Sequence, residues 1–267
     1  MLERVLIGMD FSEYSENALK TIFNLEPKPN EVIIVRVVNI KRFKGADVIR
    51  EKNIAEERLS KIVEEFRRRG VEANYLIPIG NPPEEIVKIA DSLNASLIVL
   101  GHRGRGLISK LLGSTTLNVI KSTDRPVLVV KTEQKDLFMR VLFCYHPLVF
   151  NEDIKGCIER LPFKEMILLH VVEPLLPPEA KREEMKNRVK FVEQFLNDVK
   201  SKLKGSVDVV VKIGDPAKVT LETAEDIDAT CIILSTRAKR PILGGTTDYI
   251  LKNSKISVLV CKELLRE

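Results

Sequence analysis

Five short apolar segments in the first half of this chain return, in the same order, in the second half. Arg4-Val5-Leu6-Ile7 is matched by Arg140-Val141-Leu142-Phe143, and Glu31 to Val38 by Glu165 to Val172. Ile79-Gly80-Asn81-Pro82 returns as Ile213-Gly214-Asp215-Pro216, Ala95 to Leu100 as Ala229 to Leu234, and Pro126 to Lys131 as Ser257 to Lys262. A repeat on this scale means that one supersecondary programme is run twice. The 267 residues therefore divide into two copies of ordinary domain size, over residues 1–133 and 139–267.

Each β-branched run is apolar on both faces, which suits a strand buried between layers, and each is followed by a longer segment with helical spacing. In the first copy the strands are expected near 4–10, 31–38, 72–78, 96–101 and 126–131, and the helices near 13–25, 46–69, 82–93 and 113–122. Ser12 is placed to cap the first helix, Gly70 to end the second, and Pro82-Pro83-Glu84-Glu85 to open the third. The second copy repeats the scheme, with a long charged helix near 178–203. Strands alternating with helices give a parallel sheet with right-handed crossovers. The predicted fold is α/β: two tandem Rossmann-like, doubly wound domains, each with a five-stranded parallel sheet in the order 3-2-1-4-5. In that order the ligand crevice opens beyond the C-terminal ends of strands one and four, at Asp10 and Gly101.

Composition removes several classes of function. Lys and Arg exceed Asp and Glu by only 43 to 38, and the charges are mixed along the chain, so no basic stripe for nucleic acid is present. No apolar run approaches the roughly 20 residues of a membrane span. Met1-Leu2-Glu3-Arg4-Val5 leads directly into a strand-like run and lacks the regions of a secretory signal, so a cytoplasmic protein is expected. Cys144, Cys157, Cys231 and Cys261 lie in the second half without C-x-x-C spacing, and reduced, buried thiols are expected. His102, His146 and His170 are scattered, and no structural metal is expected.

The segment Gly101-His102-Arg103-Gly104, followed by Gly113-Ser114-Thr115 at a helix start, carries the chemistry. A phosphate needs inward-pointing backbone amides at close range, hence residues without Cβ and a helix N-terminus behind them. Gly101, Gly104 and Gly113 meet the first need, Ser114 and Thr115 the second, and Arg103, Arg105 and Lys110 supply charge. The same residues also fit a tight turn with a helix cap. Asp10 has two readings as well, an acceptor for an adenine amino group or ribose hydroxyl, or a cap for the helix after it.

Taken together, Gly8-Met9-Asp10-Phe11-Ser12-Glu13 at the first strand end and Gly101-x2-Gly104 followed by Gly113-Ser114 resemble the universal stress protein family, in both halves of the chain. Nucleotide-binding members carry G-x2-G-x9-G-[S/T] after strand four. The resemblance implies an ATP or AMP site in which Asp10 and Val37 hold the adenine, Leu100 and Gly101 border the ribose, and Gly104, Gly113, Ser114 and Thr115 bind the phosphates, with Gly8, Met9 and Arg103 counted among the nucleotide-binding residues and Mg²⁺ as an optional companion of ATP. Only eight residues separate Gly104 from Gly113, one fewer than the family pattern, so AMP or ADP is expected to suit the loop as well as ATP.

The second copy departs further: His146 stands where the first has Asp10, Ser235 and Ala238 replace the first two loop glycines, and Pro241 precedes Gly244. That half is expected to bind nucleotide weakly or not at all. Its expected role is that of a built-in partner, with Val127 to Val130 pairing antiparallel to Val258 to Cys261 in an intramolecular pseudo-dimer, and a homodimer of chains as a further association. The function expected is a stress-response or signalling module governed by nucleotide occupancy. Alternatives are a slow ATPase or phosphotransferase, against which stands the lack of G-x-x-x-x-G-K-[ST], and a scaffold that binds nothing.

Overall fold

The computed structural model describes residues 2–102, 112–146, 150–174, 182–237 and 243–263, side chains of 182–185 excepted. The chain divides into two compact units, one ending at Lys135 and the other starting at Asp136.

The first unit runs β1 (Arg4–Gly8), α1 (Glu13–Phe23), β2 (Glu31–Val35), β3 (Val38–Asn39), α2 (Ala46–Arg68), β4 (Glu72–Leu76), β5 (Ile79–Gly80), α3 (Pro82–Ser92), β6 (Leu97–Gly101), α4 (Ser114–Ser122) and β7 (Val127–Val130). Five of these strands pair in parallel in the order β4-β2-β1-β6-β7, which counts as 3-2-1-4-5. All residues of β6 and β7 are buried, as the two-sided apolar runs require. Helix starts follow local chemistry. The Ser12 side chain accepts from the Ser15 amide at 3.3 Å, and α3 opens on Pro82 behind Asn81.

The run expected to form one long second strand breaks after Val35, because its partner carries Pro78, which has no N–H to continue a ladder. Val38–Asn39 instead pairs with Ile79–Gly80 in a separate two-stranded sheet. Arg36 and Val38 still donate to Leu76 O and Pro78 O, at 3.0 and 2.9 Å, so the chain stays anchored across the interruption.

The second unit runs β8 (Arg140–Cys144), α5 (Glu152–Glu159), β9 (Glu165–Val172), α6 (Arg182–Ser201), β10 (Ser206–Ile213), α7 (Pro216–Asp226), β11 (Cys231–Arg237), α8 (Gly245–Asn253) and β12 (Ser257–Glu263). Its order is β10-β9-β8-β11-β12, the same winding. Here Lys212 stands in place of the proline, and β9 and β10 pair without a break from Glu165 with Ser206 to Val172 with Ile213. The long helix starts at Arg182, and residues 178–181 of the expected span lie outside the described residues.

One expectation is corrected. Cys157 and Cys261 are not free thiols but a disulfide, both side chains buried and their Cα atoms 6.4 Å apart. They are separated by 104 residues, so spacing along the chain gave no sign of the bond. The packing of α5 against β12 brings them together. Cys144 and Cys231 are free, and burial pushes each thiol up to about 12, so both stay neutral and unreactive.

Candidate functional site

In the first unit β1 has β2 on one side and β6 on the other, so the winding reverses there and a crevice opens beyond the strand ends. Its volume is about 310 Å³. Gly8, Met9 and Asp10 line it from the end of β1, and Val37 from the β2 side. Leu100 and Gly101 line it from the end of β6, and Gly113, Ser114 and Thr115 from the start of α4. Sequence positions far apart are thus brought to one recess. Arg103 and Gly104, with Arg105 and Lys110, lie outside the described residues.

The α4 end of the crevice presents a helix N-terminus. Gly113 is the N-cap of α4 with extended angles, φ −60° and ψ 139°, and its own amide is held by His102 O at 2.9 Å. The first intrahelical bond from this end is Leu117 N to Gly113 O, at 3.0 Å. The amides of Ser114, Thr115 and Thr116 precede it and belong to the first turn, where the helix supplies no acceptors. Together with the helix dipole they form a positive pole. Thr116 Oγ1 donates to Gly101 O at 2.9 Å, which ties the helix start to the end of β6. Behind this wall, Lys131 Nζ lies 2.9 Å from His102 Nδ1, both residues buried.

Gly101 serves the wall differently from the sequence expectation. A Cβ there would sit 2.6 Å from the carbonyl carbon of Tyr14 and 2.8 Å from the Ser15 amide nitrogen. Its missing side chain makes room for the backbone of α1 rather than for a ligand, while its main chain still lines the crevice. Gly8 is close-packed too, although a Cβ there would meet the end of the Leu100 side chain and not backbone.

Asp10 occupies the opposite wall. Its Oδ1 accepts from the Ser12 amide at 3.0 Å and from Ser12 Oγ at 2.5 Å, so the carboxylate organises the turn while Ser12 itself caps α1. Between them Phe11 sits in the left-handed region at φ 59°, which costs a non-glycine residue on the order of 1–2 kcal/mol. The Arg58 guanidinium lies 3.9 Å from the ring centroid, and Arg36 flanks the ring at 5.6 Å. These cation–π contacts oppose that cost. Arg36, buried, also bonds Glu51 at 3.3 Å, so α2 braces the turn that carries Asp10.

Sequence reasoning missed several lining residues: Ser15, Arg36, Asn39, Arg42, Phe43 and Ile86. The clearest signal available for them was an aromatic residue, Phe43, within the polar stretch Lys41-Arg42-Phe43-Lys44.

The equivalent place in the second unit differs at nearly every position. Cys144 ends β8 and Tyr145 and His146 follow it, as Gly8 ends β1 and Met9 and Asp10 follow it, an equivalence fixed by the matching bonds Met9 N to Val35 O and Tyr145 N to Leu169 O. Tyr145 is buried in a cluster with Phe143, Phe150, His170 and Phe195, ring centroids 5.2–6.4 Å away. Burial lifts its hydroxyl to about 12. Burial, then the neighbouring His170, pushes the His146 imidazole below its usual range. Ser235 and Thr236 continue β11, paired with Cys261 and Lys262, where the first unit leaves the sheet at Gly101. Residues 238–242, including Ala238, Lys239, Arg240 and Pro241, lie outside the described residues.

The family model for the "Universal stress protein family" matches residues 1–131 and 162–262. The chain belongs to the universal stress protein family. Universal stress protein MJ0577 of Methanocaldococcus jannaschii is 34% identical over 155 residues, 49% of this chain and 96% of that protein. Universal stress protein MJ0531 of the same organism is 34% identical over 146 residues, 51% of this chain and 86% of its own length. A crystal structure of a universal stress protein from Archaeoglobus fulgidus DSM 4304 matches 97% of this chain and 98% of its own, at 26% identity and a TM-score of 0.76. That likeness extends over both domains of this tandem family member.

Proposed function

We propose that the first domain binds an adenine nucleotide, ATP or AMP, and that occupancy makes this cytoplasmic protein a stress-response or signalling module. The observation that carries the proposal is convergence: the first turn of α4, the Asp10 carboxylate and the stretch around Val37 line one crevice of about 310 Å³, which lies within the range of small-molecule sites. The group fits the residues present. Phosphates would be held by the amides of Ser114 to Thr116, the ribose would lie along Leu100 and Gly101, and the base would lie toward Asp10 and Val37. Ligand binding that favours one state of the protein is enough for a switch. In this reading the second domain is a structural partner and not a second nucleotide site.

The test is calorimetric titration of the full chain with AMP, ADP and ATP, each with and without Mg²⁺. Gly113→Val is the informative variant, because φ −60° and ψ 139° are open to any residue and the substitution does not strain the backbone. Saturable heat that disappears in Gly113→Val supports the proposal. No heat from folded protein at near-millimolar nucleotide contradicts it. The same samples, incubated with ATP and Mg²⁺, would expose hydrolysis if phosphate accumulates in the unaltered chain and not in the variant.

A further inference from the structure

The stretch after β3 brings a single aromatic ring, Phe43, to the crevice, alone among the described residues that line it. Its position is well fixed. Asn39 O accepts from the amides of Arg42 and Phe43 at 2.9 and 3.0 Å, and Asn39 Oδ1 accepts from the Lys41 amide at 2.8 Å. Asn39 is itself anchored by pairing with Gly80 in the β3–β5 sheet. Phe43 is half-buried, and the Arg42 guanidinium lies 5.7 Å from its centroid, near the outer limit of cation–π contact.

The placement gives the ring a purpose. Because β2 and β6 flank β1 on opposite sides, a ligand whose anionic end rests on α4, after β6, extends its other end toward the β2 side. Phe43 lines the crevice from the segment that follows β2. A planar apolar face beside a cation, at the end away from the phosphate pole, matches a flat heteroaromatic group with polar edges. We infer that Phe43 is the stacking platform for the base of the bound nucleotide, with Arg42 flanking the ring; this rests on the nucleotide reading given above. Stacking accepts any base, since every base has a π-face, so discrimination among bases falls to edge contacts near Asp10 and Val37.

The experiment uses the full chain and two probes, AMP and ribose 5-phosphate, which lacks the base. By calorimetry, Phe43→Ala weakens AMP about 10-fold or more, and Phe43→Leu, which keeps apolar bulk without a π-face, does not restore it. Phe43→Trp retains AMP binding, and because the natural chain has no tryptophan, the introduced indole is its only such reporter. AMP quenches that emission along the calorimetric binding curve, whereas ribose 5-phosphate leaves it unchanged. AMP that binds equally well to Phe43→Ala, or saturates Phe43→Trp without altering its emission, overturns the inference. If that happens while Gly113→Val still abolishes binding, the nucleotide reading survives and only the role of Phe43 falls. If the unaltered chain binds no AMP, both fall.

Discussion

The two domains repeat one scaffold down to single hydrogen bonds and then part at the strand ends. Arg4 pairs with Glu31, and its main chain exchanges bonds of 3.0 and 2.9 Å with Ser96 Oγ. Arg140 pairs with Glu165, and its main chain exchanges bonds of 3.1 and 2.9 Å with Thr230 Oγ1. The cradle helices also start alike, Gly113 at φ −60°, ψ 139° and Gly244 at φ −60°, ψ 148°. What differs is what faces the space beyond the sheet. The first domain has Gly8, Met9 and Asp10 beside a chain that leaves the sheet at Gly101. The second has Cys144, a Tyr145 ring cluster and a longer β11. The same helix N-terminus on a parallel sheet thus faces different surroundings in the two domains, and it is from those surroundings that a function has to be argued.

The largest expected effect probes a feature confined to the second domain, the Cys157–Cys261 bond. Closing a loop of 104 residues stabilises by about 4.7 kcal/mol in the chain-entropy account. Cys157→Ala should therefore lower the second domain's melting temperature, read by hydrogen exchange at β12, and leave exchange at β1 and β6 unchanged. Equal loosening of both domains would break the comparison.

Next in size is the contrast between Gly101 and Ser235, which hold equivalent places. Gly101→Val would drive a side chain into the Tyr14 backbone and should cost about 3 kcal/mol in denaturant unfolding. Ser235→Gly should stay within about 1 kcal/mol. If Gly101→Val folds with unchanged stability, the packing role assigned to Gly101 is wrong.

A smaller effect concerns Asp10 and His146. Asp10→Asn keeps an acceptor for the Ser12 amide but removes the charge, and should weaken AMP by about 10-fold, the equivalent of one hydrogen bond to a charged group. His146→Asp should create no second site, since the aromatic cluster remains. Calorimetric affinity and stoichiometry report both.

The smallest effect is a pH dependence. The folded-state pKa of His146 is depressed below 6.5, chiefly by burial, so the unfolded chain takes up its proton first. The stabilising contribution is complete above about pH 6.5 and is lost as pH falls toward the folded value. Thermal melts between pH 7.5 and 5.5 should show this decline, and His146→Asn should flatten it.

Much of this was legible in the sequence because the physics is local or periodic. Two-sided apolar runs gave the parallel strands, Ser12 and Pro82 marked helix starts, and the internal repeat implied the duplicated winding. Pro78 was visible too, and its missing N–H explains the break that the strand pattern alone ran through. Other features depend on contacts across the fold. That Gly101 yields space to α1, that Phe43 reaches the crevice, and that Cys157 meets Cys261 are consequences of packing between segments far apart in the chain. The pair of His102 and Lys131 is of the same kind, since nothing in a histidine and a lysine 29 positions apart announces a buried contact.

One of the two domains, and not the other, is proposed to hold nucleotide. Native mass spectrometry of the intact chain with AMP counts it directly. One nucleotide per chain is expected, retained in Gly244→Val and lost in Gly113→Val; two per chain, none, or loss in Gly244→Val with retention in Gly113→Val would refute the assignment.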